Sequence, residues 1–369
     1  MEGRASCHGR KVEAVRIGIY KDTLANRRGA DFAVLALAAG LRERGHDAVV
    51  FEKPCFEERI AEHWNVVIST GTNELLDIYN CFSGRPARTA PIPVSTPARA
   101  SPLATRFARW ICFPFPIIQQ FHTSPKSQLK WKRFVRNWRI KKALRHVDAI
   151  QVLSESFIPQ VAKYDVPVHV IGNWSEMRVR TLENGSDLFS NVVICPAALA
   201  KGKNQKLLIA AFARIAAEFP DWKLRLLGRV DGGYADECRR LAAKSGFADR
   251  IEFAGFCDDL AEEYQTCAFV AFPSVDEGFG LVIADAAAFA KPCVTVRDWI
   301  GAASAGGGIV ASPTVSSYAD GLRMMMADVE LRRRMGAAAQ RFCAATYSRE
   351  RILDKWDALL FEVVAAAHG

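Results

Sequence analysis

Short apolar runs alternate with longer amphipathic segments along most of the chain, and this alternation constrains the fold more than any other feature. Continuous apolar runs are typical of strands that are buried on both faces of a parallel sheet. They recur at 15–20, 48–51, 66–69, 149–153, 168–171, 191–195, 223–227, 251–254, 268–272 and 293–296. Segments with helical periodicity separate most of them, for example 30–44 and 205–218. We therefore predict an α/β protein with two doubly wound, Rossmann-like parallel sheets.

The two sheets are expected to form separate domains, because single cores stop growing at roughly 250–300 residues and the chain has 369. A polar stretch rich in turn formers at 172–190 marks the boundary. We predict an N-terminal domain at 1–172, a C-terminal domain at 173–346, and a last helix at 347–369 that returns towards the N-terminal domain. The proline-rich stretch 78–119 is interpreted as loops and short elements. Ligands of such sheets bind at the carboxyl ends of the strands, which predicts a site in the cleft between the domains.

Composition excludes several classes of protein. With 50% hydrophobic and 24% charged residues, the chain is unlike a disordered protein. No apolar run approaches the roughly 20 residues of a membrane span, and the N-terminus lacks the apolar region of a secretory signal. The ten cysteines lack the spacing of a disulfide framework or a zinc site. We therefore expect free thiols and a cytoplasmic location.

One part of the N-terminal half carries the positive charge of the protein. Residues 78–147 contain fourteen Lys and Arg and no Asp or Glu, and the net charge of the whole chain is +9. The most basic part, 126–145, is predicted to be a helix whose apolar side packs on its own sheet. Its cations are expected to bind an acceptor or to contact an anionic membrane reversibly. They are Lys126, Lys130, Lys132, Arg133, Arg136 and Arg139. We recognise no nucleic-acid-binding motif and expect no nucleic acid as a partner.

The sharpest chemical signal is the segment 276–288 (DEGFGLVIADAAA), which follows a predicted strand and opens a predicted helix. Glycines allow close approach of a ligand, and free N–H groups at a helix start suit phosphate or polyol oxygens. Glu277 and Asp285 lie eight residues apart, about 12 Å along a helix, which allows each carboxylate to bind a diol. The alternative is that Glu277 is a solvated turn residue and Asp285 an ordinary acid on a helix surface.

The same segment resembles the donor-site signature of family-4 glycosyltransferases, from Glu277 to Asp285 and then at 291–294 (KPCV). The stretch 202–205 (GKNQ) resembles the lysine segment of that family. Further segments at 224–228, 250–260 and 306–310 follow in the expected order. The resemblance is strong over 191–347 and looser in the N-terminal half. It implies the GT-B fold, in which two Rossmann-like domains face each other across a cleft, with a nucleotide diphosphate sugar as donor and no bound metal or other cofactor.

The resemblance also assigns roles to single residues. Lys203 is expected to hold the donor diphosphate, and Asp285 the ribose. Glu277 is expected to bind hydroxyls of the transferred sugar, assisted by the backbone of Phe279 and Gly280. Gly29 is expected to offer an N–H group to the phosphate from the N-terminal domain, and Phe256 to lie near the base. The other residues of the expected donor site are Gly278, Leu281 and Arg229.

His122 is the catalytic candidate of the N-terminal half. It lies in a loop-like context, at a position where the family has a His or Asp that faces the donor sugar and the acceptor. The alternative is a hydrogen-bonded structural histidine.

Two positions depart from the family pattern. Asp285 stands where the family has Glu, and Ala198 stands where it has Arg, five residues before the lysine. One cation of the diphosphate site is therefore missing, and Arg229, which follows the strand 223–227, is the expected replacement.

We expect a hexosyltransferase, retaining by family resemblance, that acts on a saccharide or lipid-linked acceptor in lipopolysaccharide, exopolysaccharide or glycolipid synthesis. It is expected in the cytoplasm, with peripheral contact at the inner face of the membrane. Two alternatives stay open: a catalytically inactive nucleotide-sugar-binding or scaffold protein of the same fold, and a GT-B sugar-nucleotide isomerase.

Overall fold

The computed structural model describes residues 14–24, 29–83, 115–122, 125, 134–177, 191–257 and 259–368. By the density of its contacts the chain divides into two compact units. The first unit comprises Met1–Val152, Ile158–His169 and Leu353–Gly369. The second comprises Leu153–Phe157 and Val170–Ile352. The last helix therefore begins in the second unit and continues in the first.

The first unit is built on a six-stranded sheet with the order β2-β1-β3-β4-β5-β6. Its strands are β1 Arg16–Lys21, β2 Asp47–Glu52, β3 Val66–Ser69, β4 Ile117–Gln120, β5 Ala149–Val152 and β6 Val168–Val170. The pairs from β2 through β5 are parallel, and β3, β4 and β5 are buried along their whole length. This burial explains why β3, VVIS, is apolar at three of its four positions.

Helices connect these strands. They are α1 Gly29–Glu43, α2 Phe56–Arg59, α3 Thr72–Ser83, α4 Phe134–Ala143 and α5 Ile158–Val161, with short 3-10 turns at Lys53–Cys55, Glu155–Phe157 and Ala162–Tyr164. The chain leaves α1 through Gly45, whose φ of +91° lies in the left-handed region that glycine adopts without strain.

The second unit contains another six-stranded sheet, with the order β12-β11-β10-β7-β8-β9. Its strands are β7 Val192–Pro196, β8 Lys223–Leu227, β9 Ile251–Gly255, β10 Phe269–Phe272, β11 Cys293–Thr295 and β12 Gly308–Val310. All five pairings are parallel. Two parallel doubly wound sheets, one in each half of the chain, confirm the predicted fold class.

The helices of the second unit complete its core. They are α6 Gln205–Ile215, α7 Gly233–Lys244, α8 Leu260–Thr266, α9 Leu281–Ala288, α10 Val315–Ala327, α11 Val329–Thr346 and the first turn of α12 Arg349–His368, which continues in the first unit from Leu353. A core cluster joins the apolar sides of α6, α7 and α10 to the sheet, with Phe212, Phe269 and Tyr318 fully buried. Asp328 ends α10 and caps α11 by accepting a 2.8 Å hydrogen bond from the Leu331 N–H.

Three sequence interpretations need correction. The stretch 78–119, interpreted as loops and short elements, continues α3 to Ser83 and ends in the buried strand β4. The sequence also predicts a single helix at 155–163, but the structure has one turn of α-helix there between two 3-10 turns. Helix α8 was not predicted as an element at all.

Two findings bear on the expectations about membranes and thiols. Within the described residues, none of the helices is both long and apolar enough to cross a membrane. The eight cysteines that can be described are free thiols, and four of them, Cys195, Cys238, Cys267 and Cys293, are buried.

Candidate functional site

The candidate site of the second unit lies beside β7, at the point where the strand order of the sheet reverses. Strand β7 is paired with β10 on one side and with β8 on the other. In a doubly wound sheet this point leaves room for a ligand beyond the carboxyl ends of the strands. The loop after β7 carries Lys203, and the loop after β10 carries Glu277. Adjacent parallel strands therefore bring together two segments that are far apart in the sequence.

Lys203 and Glu277 form an ion pair between Nζ and Oε1. The Lys203 side chain is 30% exposed and the Glu277 side chain 12%, so the pair is partly shielded but still reachable from solvent. The Lys203 Nζ also lies 5.7 Å from the centroid of the Phe272 ring at the end of β10. A cation and a carboxylate thus meet at the switch point of the sheet.

The two loops are fastened to each other by their backbones. Gly202 accepts hydrogen bonds from the Val275 N–H, at 2.9 Å, and from the Ser274 hydroxyl, at 3.1 Å. The Ser274 hydroxyl also lies 2.5 Å from Glu277 Oε1. Ser274 is fully buried. It therefore joins the lysine loop to the glutamate loop and holds the Glu277 carboxylate in place.

A buried glutamine organises the lysine loop. Gln205, the first residue of α6, is fully buried. Its amide nitrogen donates to the carbonyls of Ala197 and Ala198, at 3.3 and 3.0 Å. Its amide oxygen lies 3.4 Å from the Ala200 N–H. The loop 197–203 thereby keeps a fixed path although it has no regular secondary structure before the turn at 201–203.

Glycine is required where β8 ends beside this loop. Gly228 has a φ of +123°, and a Cβ there would lie 2.8 Å from the carbonyl carbon of Ala197 and from the nitrogen of Ala198. The next residue, Arg229, accepts a 2.9 Å hydrogen bond from the Leu199 N–H through its carbonyl. Its side chain is 65% exposed and lies 3.7 Å from Asp231. Arg229 thus lies beside the loop that carries Ala198, and its role as replacement cation stays a prediction.

The helix start behind Glu277 is buried and well supported. Gly278, Phe279 and Gly280 are buried, and α9 begins at Leu281. Gly280 has a φ of +92°, which L-residues rarely adopt. The Phe279 ring meets the ring of Tyr347 edge-on, with centroids 5.0 Å apart. The side chain of Phe279 therefore supports the loop from inside, while the first backbone N–H groups of α9 have no partner within the helix.

Asp285 lies in the second turn of α9 and is bound to the segment that enters the second unit. The Ser175 hydroxyl donates a 2.6 Å hydrogen bond to Asp285 Oδ1. Desolvation by burial raises the Asp285 pKa to about 6, although the bond from Ser175 lowers it. The Asp285 carboxyl group therefore loses the solvation of its charge by burial, and the hydrogen bond from Ser175 compensates for part of that loss.

Phe256 follows β9 and is 73% exposed. It lies at the carboxyl edge of the same sheet, where an aromatic side chain is open to solvent. Its expected place near a base stays a prediction. Among the described residues, no cluster of three or more His, Cys, Asp and Glu is placed to hold a metal ion.

In the first unit, His122 follows β4 at the carboxyl edge of the sheet. Neither ring nitrogen has a hydrogen-bond partner among the described residues. Burial, and secondarily the charge of Lys21, lower the His122 pKa to about 3. The imidazole is therefore neutral at physiological pH. Gly29, the other residue expected at a ligand, is the first residue of α1.

The described part of the first sheet edge also contains a buried ion pair that the sequence did not indicate. Lys21, at the end of β1, lies 3.2 Å from Glu74 of α3. Glu74 is 4% exposed and also accepts a 3.1 Å hydrogen bond from the Asp22 N–H. The position of Lys21 at the end of a buried strand is the sequence feature that could have indicated this ion pair.

The basic surface predicted for the first unit is only partly visible. Lys126, Lys130, Lys132 and Arg133 lie outside the described residues, and so does the side chain of Arg136. Arg139 is on α4 and donates a hydrogen bond to Asn80 of α3. Trp138, beside it, is 58% exposed.

Comparison with known proteins defines the class. Over 94% of its length the chain has the fold of the Anabaena protein HepE, solved with UDP and glucose, with a TM-score of 0.70, 17% identity and 99% of that chain covered. This is the GT-B fold. Residues 181–342 match the model of the family Glycosyl transferases group 1. The family resemblance drawn from the motifs is thus confirmed, and assignment to family 4 stays a prediction.

The curated relatives agree with this class but match only in part. A D-inositol 3-phosphate glycosyltransferase of Corynebacterium glutamicum is 31% identical over 187 residues, 47% of this chain and 44% of the relative. An exopolysaccharide phosphotransferase of Streptomyces coelicolor is 28% identical over 186 residues, 49% of this chain and 19% of the relative. The chain thus spans less than half the length of either relative.

Proposed function

We propose that the protein is a glycosyltransferase that moves a hexose from a nucleotide diphosphate sugar to a saccharide or lipid-linked acceptor, with retention of configuration. One observation carries the proposal: the ion pair of Lys203 and Glu277 at the switch point of the second sheet. In this proposal the cation binds the diphosphate and the neighbouring carboxylate binds sugar hydroxyls. The group 1 domain and the fold shared with a UDP complex support the same ligand class.

In this proposal the residues act mainly by binding and orientation. Lys203 and the free N–H groups at the start of α9 stabilise the negative charge that develops on the departing diphosphate. Glu277 orients the sugar through its hydroxyls, and Asp285 binds the ribose. His122, with two ring nitrogens free of partners among the described residues, lies at the edge of the first sheet that would face the acceptor.

The test begins with thermal shifts for UDP, GDP, ADP and their glucose or mannose derivatives, because a ligand that binds the folded state raises the melting temperature. We expect a shift for at least one nucleoside diphosphate and release of that diphosphate from its sugar. Lys203→Ala should abolish the shift. Lys206→Ala is the matched control, since Lys206 forms an exposed ion pair with Glu237 at 2.9 Å and should keep it.

The results also distinguish the alternatives. Binding without release of diphosphate, with or without membrane extract, would favour the inactive nucleotide-sugar-binding protein, which Ala198 and Asp285 motivate. Conversion of the nucleotide sugar without transfer would favour the isomerase. An unchanged shift in Lys203→Ala would contradict the proposed site.

We further propose that the protein acts in the cytoplasm in synthesis of lipopolysaccharide, exopolysaccharide or glycolipid. Reversible contact with anionic lipid is proposed from the fourteen cations at 78–147. Flotation with anionic and with neutral liposomes tests this contact, and equal binding to both would contradict it.

We propose that neither a metal nor another cofactor is needed, so EDTA should leave transfer unchanged.

A further inference from the structure

The loop after β11 holds a buried tryptophan, Trp299, next to the candidate donor site. Trp299 is 9% exposed, and its indole Nε1–H has no hydrogen-bond partner among the described residues. A Cβ on Gly280 would lie 3.1 Å from the Trp299 Cβ. The tryptophan therefore packs directly against the residue that precedes α9.

This loop and the donor loop share one support. The Tyr347 hydroxyl donates a 2.9 Å hydrogen bond to the carbonyl of Ile300, the residue after Trp299. The same ring lies edge-on to Phe279. Tyr347 thus fastens the loop of Trp299 to the loop of Phe279 and Gly280. The loop around Trp299 is therefore well supported, and the unpaired N–H needs another explanation.

The surroundings of Trp299 favour a ligand with oxygen acceptors and negative charge. A buried N–H without an acceptor is unfavourable, and such a group in a native structure needs an explanation. The start of α9 adds further free N–H groups and the positive end of the helix dipole. Arg297 is exposed, and its guanidinium carbon lies 4.9 Å from the centroid of the Trp299 ring. Trp299 thus packs on the residue before this helix start, and Arg297 places a cation over its ring.

We propose that Trp299 is a donor-binding residue whose indole N–H donates a hydrogen bond to an oxygen of the nucleotide diphosphate sugar, with Arg297 as an adjacent cation. The inference rests on the proposed function. It also gives the chain a second candidate, besides Arg229, for the cation that is missing at Ala198. The accepting oxygen belongs either to the diphosphate or to the sugar, and the ligand used in the test distinguishes the two.

Trp299→Phe removes the N–H and keeps an aromatic ring. Titration calorimetry with UDP and with UDP-glucose, or with the corresponding pair from the thermal-shift panel, measures its effect. We expect about tenfold weaker binding, equivalent to ~1.4 kcal/mol. Weakening of both ligands assigns the oxygen to the diphosphate, and weakening of UDP-glucose alone assigns it to the sugar.

Trp222→Phe is the matched control, because Trp222 is also buried, at 6% exposed. Trp222 lies directly before β8, at the end of the sheet where the strands begin, whereas Trp299 follows the carboxyl end of β11. The affinity of Trp222→Phe for both ligands should be that of the wild type. Arg297→Gln changes an exposed side chain, so it tests the site without disturbing the core, and we expect about fivefold weaker binding.

A direct measurement on the unaltered side chain completes the test. The chain has eight tryptophans, and the indole cross-peak missing from the ¹H–¹⁵N spectrum of Trp299→Phe identifies Trp299. That peak should move when the wild type is saturated with ligand. Wild-type affinity in both Trp299→Phe and Arg297→Gln, or a stationary peak, would overturn the inference while leaving the proposed function intact. A wild-type protein that binds no nucleotide would overturn the proposed function itself, and this inference with it.

Discussion

At the scale of single residues, the candidate site contains two carboxyl groups in different states. Glu277 contacts a lysine and a serine hydroxyl, whereas Asp285 accepts a hydrogen bond from the hydroxyl of Ser175. Burial without a cation raises the pKa of Asp285 to about 6. A ligand that brings two hydroxyl donors, such as a ribose, would stabilise its ionised form.

This difference predicts a trade between stability and binding at Asp285. Its pKa is higher in the folded protein than the ordinary value of 3.8, so the folded state binds the proton more tightly. The contribution of Asp285 to stability therefore falls as the pH rises from about 4 to 6, and the ionised form is destabilising above that range. Asp285→Asn should raise the free energy of unfolding at pH 7 by roughly 1–2 kcal/mol and leave it nearly unchanged at pH 4.

Urea unfolding at both pH values measures the effect, and titration with the nucleoside diphosphate should show weaker binding by the same variant. Asp236→Asn, on the exposed surface of α7, is the control and should change stability by less than about 0.5 kcal/mol. A loss of stability in Asp285→Asn at pH 7 would show that the carboxylate is stabilised in the free protein.

At the scale of elements, the loops after β7, β8 and β10 act as one support for the site. Gln205 fixes the path of the lysine loop, and Ser274 joins that loop to the glutamate loop, both through backbone carbonyls. Gly228 lies against the same lysine loop, with no space for a side chain. The position of Lys203 thus depends on contacts from three strands.

Gly228 and Gly232 test this dependence because both have positive φ, +123° and +93°. A Cβ on Gly232 would have no atom within 4 Å, whereas one on Gly228 would overlap the backbone at Ala197. Gly232→Ala should cost about 1 kcal/mol from backbone strain. Gly228→Ala should cost about 3 kcal/mol or more and should also weaken nucleotide binding. Equal losses measured by chemical unfolding would mean that the lysine loop moves aside without cost.

At the scale of the whole molecule, the last helix completes the first unit. From Leu353 onwards α12 belongs to that unit, where Asp357 lies 3.1 Å from Arg44 and 3.3 Å from His46. Trp356 is 2% exposed. The N-terminal part of the chain therefore acquires part of its core from residues at the opposite end.

Trp356→Ala should destabilise the first unit by about 3–5 kcal/mol, because it leaves a cavity in a buried contact. Limited proteolysis followed by mass spectrometry should then show new cleavage sites before residue 170, with 191–350 still protected. Lys355→Ala, its exposed neighbour, should leave the cleavage pattern unchanged. Cleavage distributed evenly over both units would contradict this assignment of α12.

Strands and helices with a regular apolar pattern were predictable from the sequence because their signal is local. The strands β3 and β8 match the predicted runs to the residue. Strand β4 was missed because it contains Gln119 and Gln120, which are buried in the sheet although they are polar. Its surroundings are also rich in proline, which indicates loops.

Glu277 could be found in the sequence because the glycines, the carboxylate and the helix start lie within one short segment, and Lys203 lies in a second short segment before α6. The contacts that complete the site could not be found in that way. Ser274 reaches Gly202, and Trp299 reaches Gly280, because the strand order β11-β10-β7 places their loops side by side, and Ser175 reaches Asp285 from the segment before β7. Local patterns report how each segment meets its own backbone and solvent, whereas the order of strands depends on packing over the whole unit, and that packing decided which side chains share a site.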